Sequence, residues 1–140
     1  MMIQVYTQAD LASVVSIRNG ETRIGQRVCL PEPNNTLQQQ LEIARQQGCR
    51  YVLLGIPEDI GPRANLGFWG ADKGWQAFLA KFLNLQANQF IDTKQILLLG
   101  HIICADLQQK SETLTATVPE QLAELRELVA TLDQRVMAVA

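Results

Sequence analysis

The sequence predicts an α/β protein, the front part of a three-layer α/β/α domain organised on a parallel sheet. Two observations carry this. Residues 51–56, Tyr51-Val52-Leu53-Leu54-Gly55-Ile56, and residues 95–103, QILLLGHII, are apolar runs too short and too unbroken for amphipathic helices. They read as strands buried on both faces, as parallel strands are. Between them Trp75, Phe78, Leu79, Phe82 and Leu83 recur at helical spacing and give one helix a heavily apolar face. Strand, helix, strand in this order predicts a right-handed crossover between parallel neighbours.

Composition supports a core. The chain has 140 residues, 47% of them hydrophobic and 19% charged, enough for a globular unit and too apolar for disorder. Twelve Lys and Arg stand against 14 Asp and Glu, and no basic run interleaves with aromatics, which argues against a nucleic-acid surface. No basic segment followed by an apolar h-region opens the chain, and no apolar stretch approaches the roughly 20 residues that span a bilayer. A soluble, cytoplasmic protein with no membrane contact is expected. Cys29, Cys49 and Cys104 are widely spaced, without C-x-x-C, and read as reduced thiols serving as small apolar residues.

In chain order, residues 2–7 (MIQVYT) form a short first strand by their β-favouring side chains. Asp10 is expected to cap a helical segment over residues 11–17, ahead of the Asn19-Gly20 turn. Residues 21–35 read as loop. Thr36 caps a helix with Leu37, Leu41 and Ala44 on one face and Gly48 as its stop. After the strand over residues 51–56 comes a long loop, and Asp72 is the expected cap of the aromatic-striped helix. Residues 84–94 are polar connection and residues 106–117 polar loop. Thr117 and Glu120 fit a capping box with Pro119 in the first turn, and Leu122, Leu125, Val129, Leu132 and Val136 run down one face of a last helix. No glycine, asparagine or proline stops that helix. With two strands wanting cover on both faces, the chain reads as a single partial domain over residues 1–140.

The loop over residues 57–70 lies at the carboxyl end of a strand, where open α/β sheets place their ligands. Neither G-x-x-x-x-G-K-[ST] nor G-x-G-x-x-G occurs. Gly61, Gly67 and Gly70 could bring backbone amides to an anion, or simply supply positive φ. His101, Cys104 and Asp106 near the end of the second strand could approach Glu58 and Asp59 at the end of the first and hold a hard metal. The plainer reading is that His101 satisfies a backbone group and Asp59 caps the loop. No nucleophile elbow G-x-S-x-G is present. Arg63 beside Glu58 and Asp59 either forms an internal ion pair that shapes the loop or clamps a substrate carboxylate.

The run VLLGIPEDIGPRANLGFWGADKGWQAFLAKFLNLQANQF followed by ILLLGHI resembles the N-terminal part of the arginase and agmatinase superfamily of ureohydrolases, in particular its formimidoylglutamase-like branch. The likeness covers about residues 52–102 and includes the Asn84, Gln86, Asn88 segment. It implies a three-layer fold and a pair of manganese ions that activate a bridging water against an amidine or guanidinium carbon. In that branch N-formimidoyl-glutamate yields glutamate and formamide. The family's metal ligands lie in Gly-Gly-Gly-His, Asp-x-His-x-Asp and Ser-x-Asp-x-Asp segments, none of which occurs here. The expectation is therefore an N-terminal fragment, inactive alone, with no catalytic or metal residue of its own. Residues 58–70 would form one wall of the pocket for a small amidine or guanidinium substrate, with Arg63, Asn65, Glu58 and Asp59 as substrate-binding residues. The rival readings are a non-catalytic α/β module that self-associates and an unrelated nucleotide-binding domain.

Overall fold

The computed structural model describes residues 2–140. Its most buried strand is β3 (Ile96–Ile102), in which Leu97, Leu98, Leu99 and Ile102 are almost fully covered. It lies between β1 (Ile3–Val5) and β2 (Tyr51–Gly55) in the order β1-β3-β2. The Tyr6 amide donates to the Leu99 carbonyl and the Ile103 amide to the Met2 carbonyl, so the partner number falls as the chain rises and β1 runs antiparallel to β3. The three-stranded sheet is therefore mixed, and the expectation of an all-parallel sheet is corrected at β1. Helices and β2 all intervene between β1 and β3 in the chain, so no single strand-helix-strand crossover joins the two and fixes them parallel.

The expectation that β2 is buried is also corrected. Tyr51 is 61% and Val52 45% exposed, because β2 is the sheet's edge. An unbroken apolar run marks a strand but does not say how many neighbours cover it.

By contacts the chain divides into two compact units. The first comprises residues 2–4, Gly55–Gln76 and His101–Ala140. It is built from α3 (Ile60–Ala64), α5 (Ala105–Ser111) and α6 (Pro119–Met137), with α6 packed on both of the shorter helices. Ile60, Leu107, Leu125 and Leu132 make its core. The spacing of Leu125 and Leu132 down α6 follows the expected apolar face. Its expected Thr117–Glu120 capping box does not form: Val118 is the N-cap, without a side-chain bond, and Thr117 interacts with Thr115 instead. Pro119 stands in the first turn, where its missing N–H has no helical partner to lose. Gly55 belongs to this unit and has a packing reason to lack a side chain. A Cβ there would sit 2.3 Å from the Trp75 indole.

The second unit comprises Val5–Leu54 and Ala77–Gly100. Its first helix is α1 (Gln8–Ala12), capped by Thr7 with Asp10 closing the box from the third position. Asp10 thus stabilises the helix from inside, not from its cap. α2 (Leu37–Gln46) follows the sequence reading, with the Thr36 hydroxyl accepting from the Gln39 amide and Gly48 in a left-handed conformation at φ 92° beyond its end. The segment over residues 21–35 is anchored through Ile24 and Gly25, whose amides donate to the Leu85 and Leu83 carbonyls. Asn84 secures the same region by donating from its amide to the Val14 and Ala80 carbonyls. α4 (Gly74–Phe82), of which Ala77–Phe82 belong to this unit, begins after a 3₁₀ turn over Ala71–Lys73 of the first unit whose cap is Gly70, at φ 105°, and not Asp72. Within its stripe Leu79 and Leu83 are buried, and the Phe78 and Phe82 rings stack with centroids 5.1 Å apart.

Candidate functional site

All side chains of the candidate site lie in the first unit, where β2 ends and the chain turns through Pro57 into α3. Glu58 folds back so that its carboxylate accepts from the Gly61 amide at 2.7 Å. That satisfies one of the donors a helix leaves open at its start. Asp59 is the N-cap by position but makes no capping bond, because its carboxylate is used elsewhere. One oxygen accepts from Arg63 Nε at 3.2 Å and from the Gln108 side chain at 3.0 Å, and the other accepts from the Gly70 amide at 3.1 Å. Gln108 returns the contact, since its carbonyl oxygen accepts from the Asp59 amide at 3.0 Å.

Arg63 sits one turn after Asp59 on the same helical face. Its guanidinium donates to Asp59, to the Ser111 carbonyl at 3.1 Å and to the Ser111 hydroxyl, and lies 5.9 Å from the Trp69 ring centroid. Both members of the ion pair are only 9% exposed through their side chains. Burial by itself would raise the Asp59 pKa. The Gly70 amide, Gln108 and Arg63 outweigh it, and the carboxyl titrates below its ordinary value. The network fixes residues 59–70 as one piece, with left-handed Leu66 (φ 64°) and the Gly67 amide donating to the Pro62 carbonyl.

Among the cavities beside this network, two are lined by acidic side chains. One, of about 310 Å³, is lined by Asp59, Arg63, Trp69, Asp72, Lys73 and Glu112. The other, of about 460 Å³, lies beyond the carboxyl end of β3 and includes Asp72, His101, Cys104 and Glu112. Burial pushes the Cys104 thiol up to about 11, with Glu58 contributing, so it is a neutral lining group.

Of the four residues expected to bind substrate, Asp59 and Arg63 are brought together, and Glu58 stands beside them on the Gly61 amide. Asn65 is exposed just past the end of α3. Of the two readings of Arg63, the geometry realises the internal ion pair. The metal reading of Glu58, Asp59, His101, Cys104 and Asp106 is not assembled, since Asp106 is held by Arg135 at 2.7 Å and Asp59 by Arg63. Among the described residues no group of three or more His, Cys, Asp or Glu could hold a metal ion, so the donor set does not fit the manganese pair that the ureohydrolase resemblance implies.

Sequence reasoning missed Gln108 and Ser111, because residues 106–117 read as polar loop while Ala105–Ser111 is α5. A signal existed in Leu107 and Ser111, four residues apart and both buried on the inner face of that helix. Comparison with family models, with curated proteins and with solved structures finds no match.

Proposed function

We propose that this chain supplies the N-terminal part of a formimidoylglutamase-like hydrolase, with a three-layer, arginase-like fold, acting on the C–N bond of a linear amidine or guanidinium compound. The observation that carries the reading is the preformed segment over residues 58–70, locked by Asp59 and Arg63 beside cavities at the carboxyl ends of adjacent strands. Ligands of α/β sheets bind at that edge. Asp72 and Glu112 supply carboxylates to the cavity wall, the chemistry that an amidinium cation requires. In this reading Asp59 and Arg63 shape the wall, Glu58 holds the start of α3 and exposed Asn65 is available to substrate. Among the described residues no cluster of metal ligands is assembled, so in this reading hydrolysis uses ligands from other segments of the enzyme.

Titrating the protein with N-formimidoyl-glutamate and with agmatine at millimolar concentration, followed by thermal unfolding, tests this. A rise in Tm that is lost in the Asp72→Asn, Glu112→Gln double variant is expected. No rise with either compound would overturn it.

A second reading, a non-catalytic module that self-associates, is favoured by the exposed apolar side chains of Tyr51 and Val52 on edge strand β2. It predicts that light scattering finds a dimer or larger species which Val52→Lys converts to monomer. A monomer of the unaltered protein at high concentration would exclude it.

A further inference from the structure

Cys29 and Cys49, twenty positions apart in sequence, come together in the second unit. The backbone explains how. Cys29 sits on a segment that pairs with β3, its amide donating to the Ile96 carbonyl and its own carbonyl accepting from the Leu98 amide. Cys49 ends the connection from α2, its amide donating to the Ala44 carbonyl, and the next amide, of Arg50, donates to the Gln95 carbonyl. Both segments thus converge on the entrance to β3. There both thiols point at one acceptor, the Lys94 carbonyl, with Sγ to O distances of 3.1 Å for Cys29 and 3.5 Å for Cys49. Both cysteines are half-buried, whereas Cys104 is buried in the first unit.

We propose that Cys29 and Cys49 form a reversible intramolecular disulfide, a modification site that takes a low-molecular-weight disulfide such as oxidised glutathione as its oxidant. One cysteine thiolate attacks a sulfur of the oxidant, forming a mixed disulfide and releasing one small thiol. The second thiolate attacks the protein-bound sulfur, closes the Cys29–Cys49 bond and releases the other. The two cysteines lose two electrons, the oxidant gains them, and the two thiol protons end on the two released thiols. The Lys94 carbonyl loses both S–H donors in this reaction. The new bond closes a loop that contains all of α2 and the pairing of Gln40 with the Glu32 backbone.

Burial, followed by the neighbouring Cys29 thiol, pushes Cys49 up to about 11. Either order of attack needs the Cys49 thiolate at one step. A thiol held above its ordinary value is mostly protonated at neutral pH, so closure runs faster as pH rises.

The test uses the full chain, reduced and then equilibrated with excess oxidised glutathione under native conditions, with free thiols counted and the intact mass measured. The expected product has lost two hydrogen atoms, keeps one free thiol, at Cys104, and yields a cross-linked Cys29–Cys49 peptide on proteolysis. Its Tm should rise by about 5 °C and return on reduction. Cys29→Ser and Cys49→Ser should each leave a glutathione adduct on the remaining partner. Three free thiols at equilibrium, or stable glutathione adducts on both cysteines of the unaltered protein, would overturn the proposal.

Discussion

Two arginine–aspartate pairs in the same unit use the same chemistry under different solvation. Arg63 and Asp59 are 9% exposed on both sides and lie one helical turn apart, with Ser111 accepting from Arg63 and Gln108 and Gly70 donating to Asp59. Arg135 joins α6 to Asp106 of α5 through two bonds of 2.7 Å and adds one to the Ile103 carbonyl, with the Asp106 side chain 44% exposed. The geometry of the second pair is the better one. The first pair should nevertheless matter more, because taking one partner from a buried pair strands an uncompensated charge, whereas water reclaims an exposed carboxylate.

The largest effect separating the two pairs is expected from Arg63→Ala. It leaves Asp59 charged and covered, and urea unfolding should show a loss of about 3–5 kcal/mol. The Asp59→Asn, Arg63→Met double variant should recover part of that loss, and a single variant costing under about 1 kcal/mol would refute the contrast. Next comes Ser111→Ala, which removes the hydroxyl that accepts from Arg63 and donates to the Gln108 carbonyl. About 1–2 kcal/mol is expected from the same measurement. Arg135→Ala should cost about 1 kcal/mol after screening at half-exposed Asp106.

Acid sharpens the comparison further. The Arg135 hydrogen bonds hold Asp106 down to about 2. A carboxyl whose folded pKa is depressed contributes stability above its unfolded value of about 4 and loses it as pH falls toward the folded one. Stability measured from pH 5 to 2 should therefore decline less in Asp106→Asn than in the parent. The smallest effect is that of salt. Raising NaCl to about 1 M should shrink the double-mutant coupling of Arg135 with Asp106 and leave that of Arg63 with Asp59 largely unchanged.

How much of this was legible depended on where the determinants lie along the chain. Thr36 and Gly48 mark α2 because a cap and a stop are local events. β3 was legible for a similar reason, since four nearly covered apolar side chains need only a continuous run. The exposure of β2 was not legible, because an edge is a property of strand order and residues 51–56 carry no trace of it. α3 and α5 escaped because each is short, with Gly61 and Pro62 inside the first and mostly polar residues in the second. Reading a helix over residues 60–64 would have put Asp59 and Arg63 four apart on one face and predicted their pairing. The meeting of Cys29 with Cys49 had no local signal at all, since it depends on two segments reaching the same end of β3.

The slot at Gly55 gives the protein an optical reporter of its own assembly. Trp75 lies against backbone where even a methyl group would collide, while the other indole, Trp69, is 78% exposed. With both bases of emission in one chain, Trp69→Phe isolates a fluorophore whose spectrum follows the closing of the first unit around the strand end. Gly55→Ala should shift that spectrum to the red by displacing the ring into water.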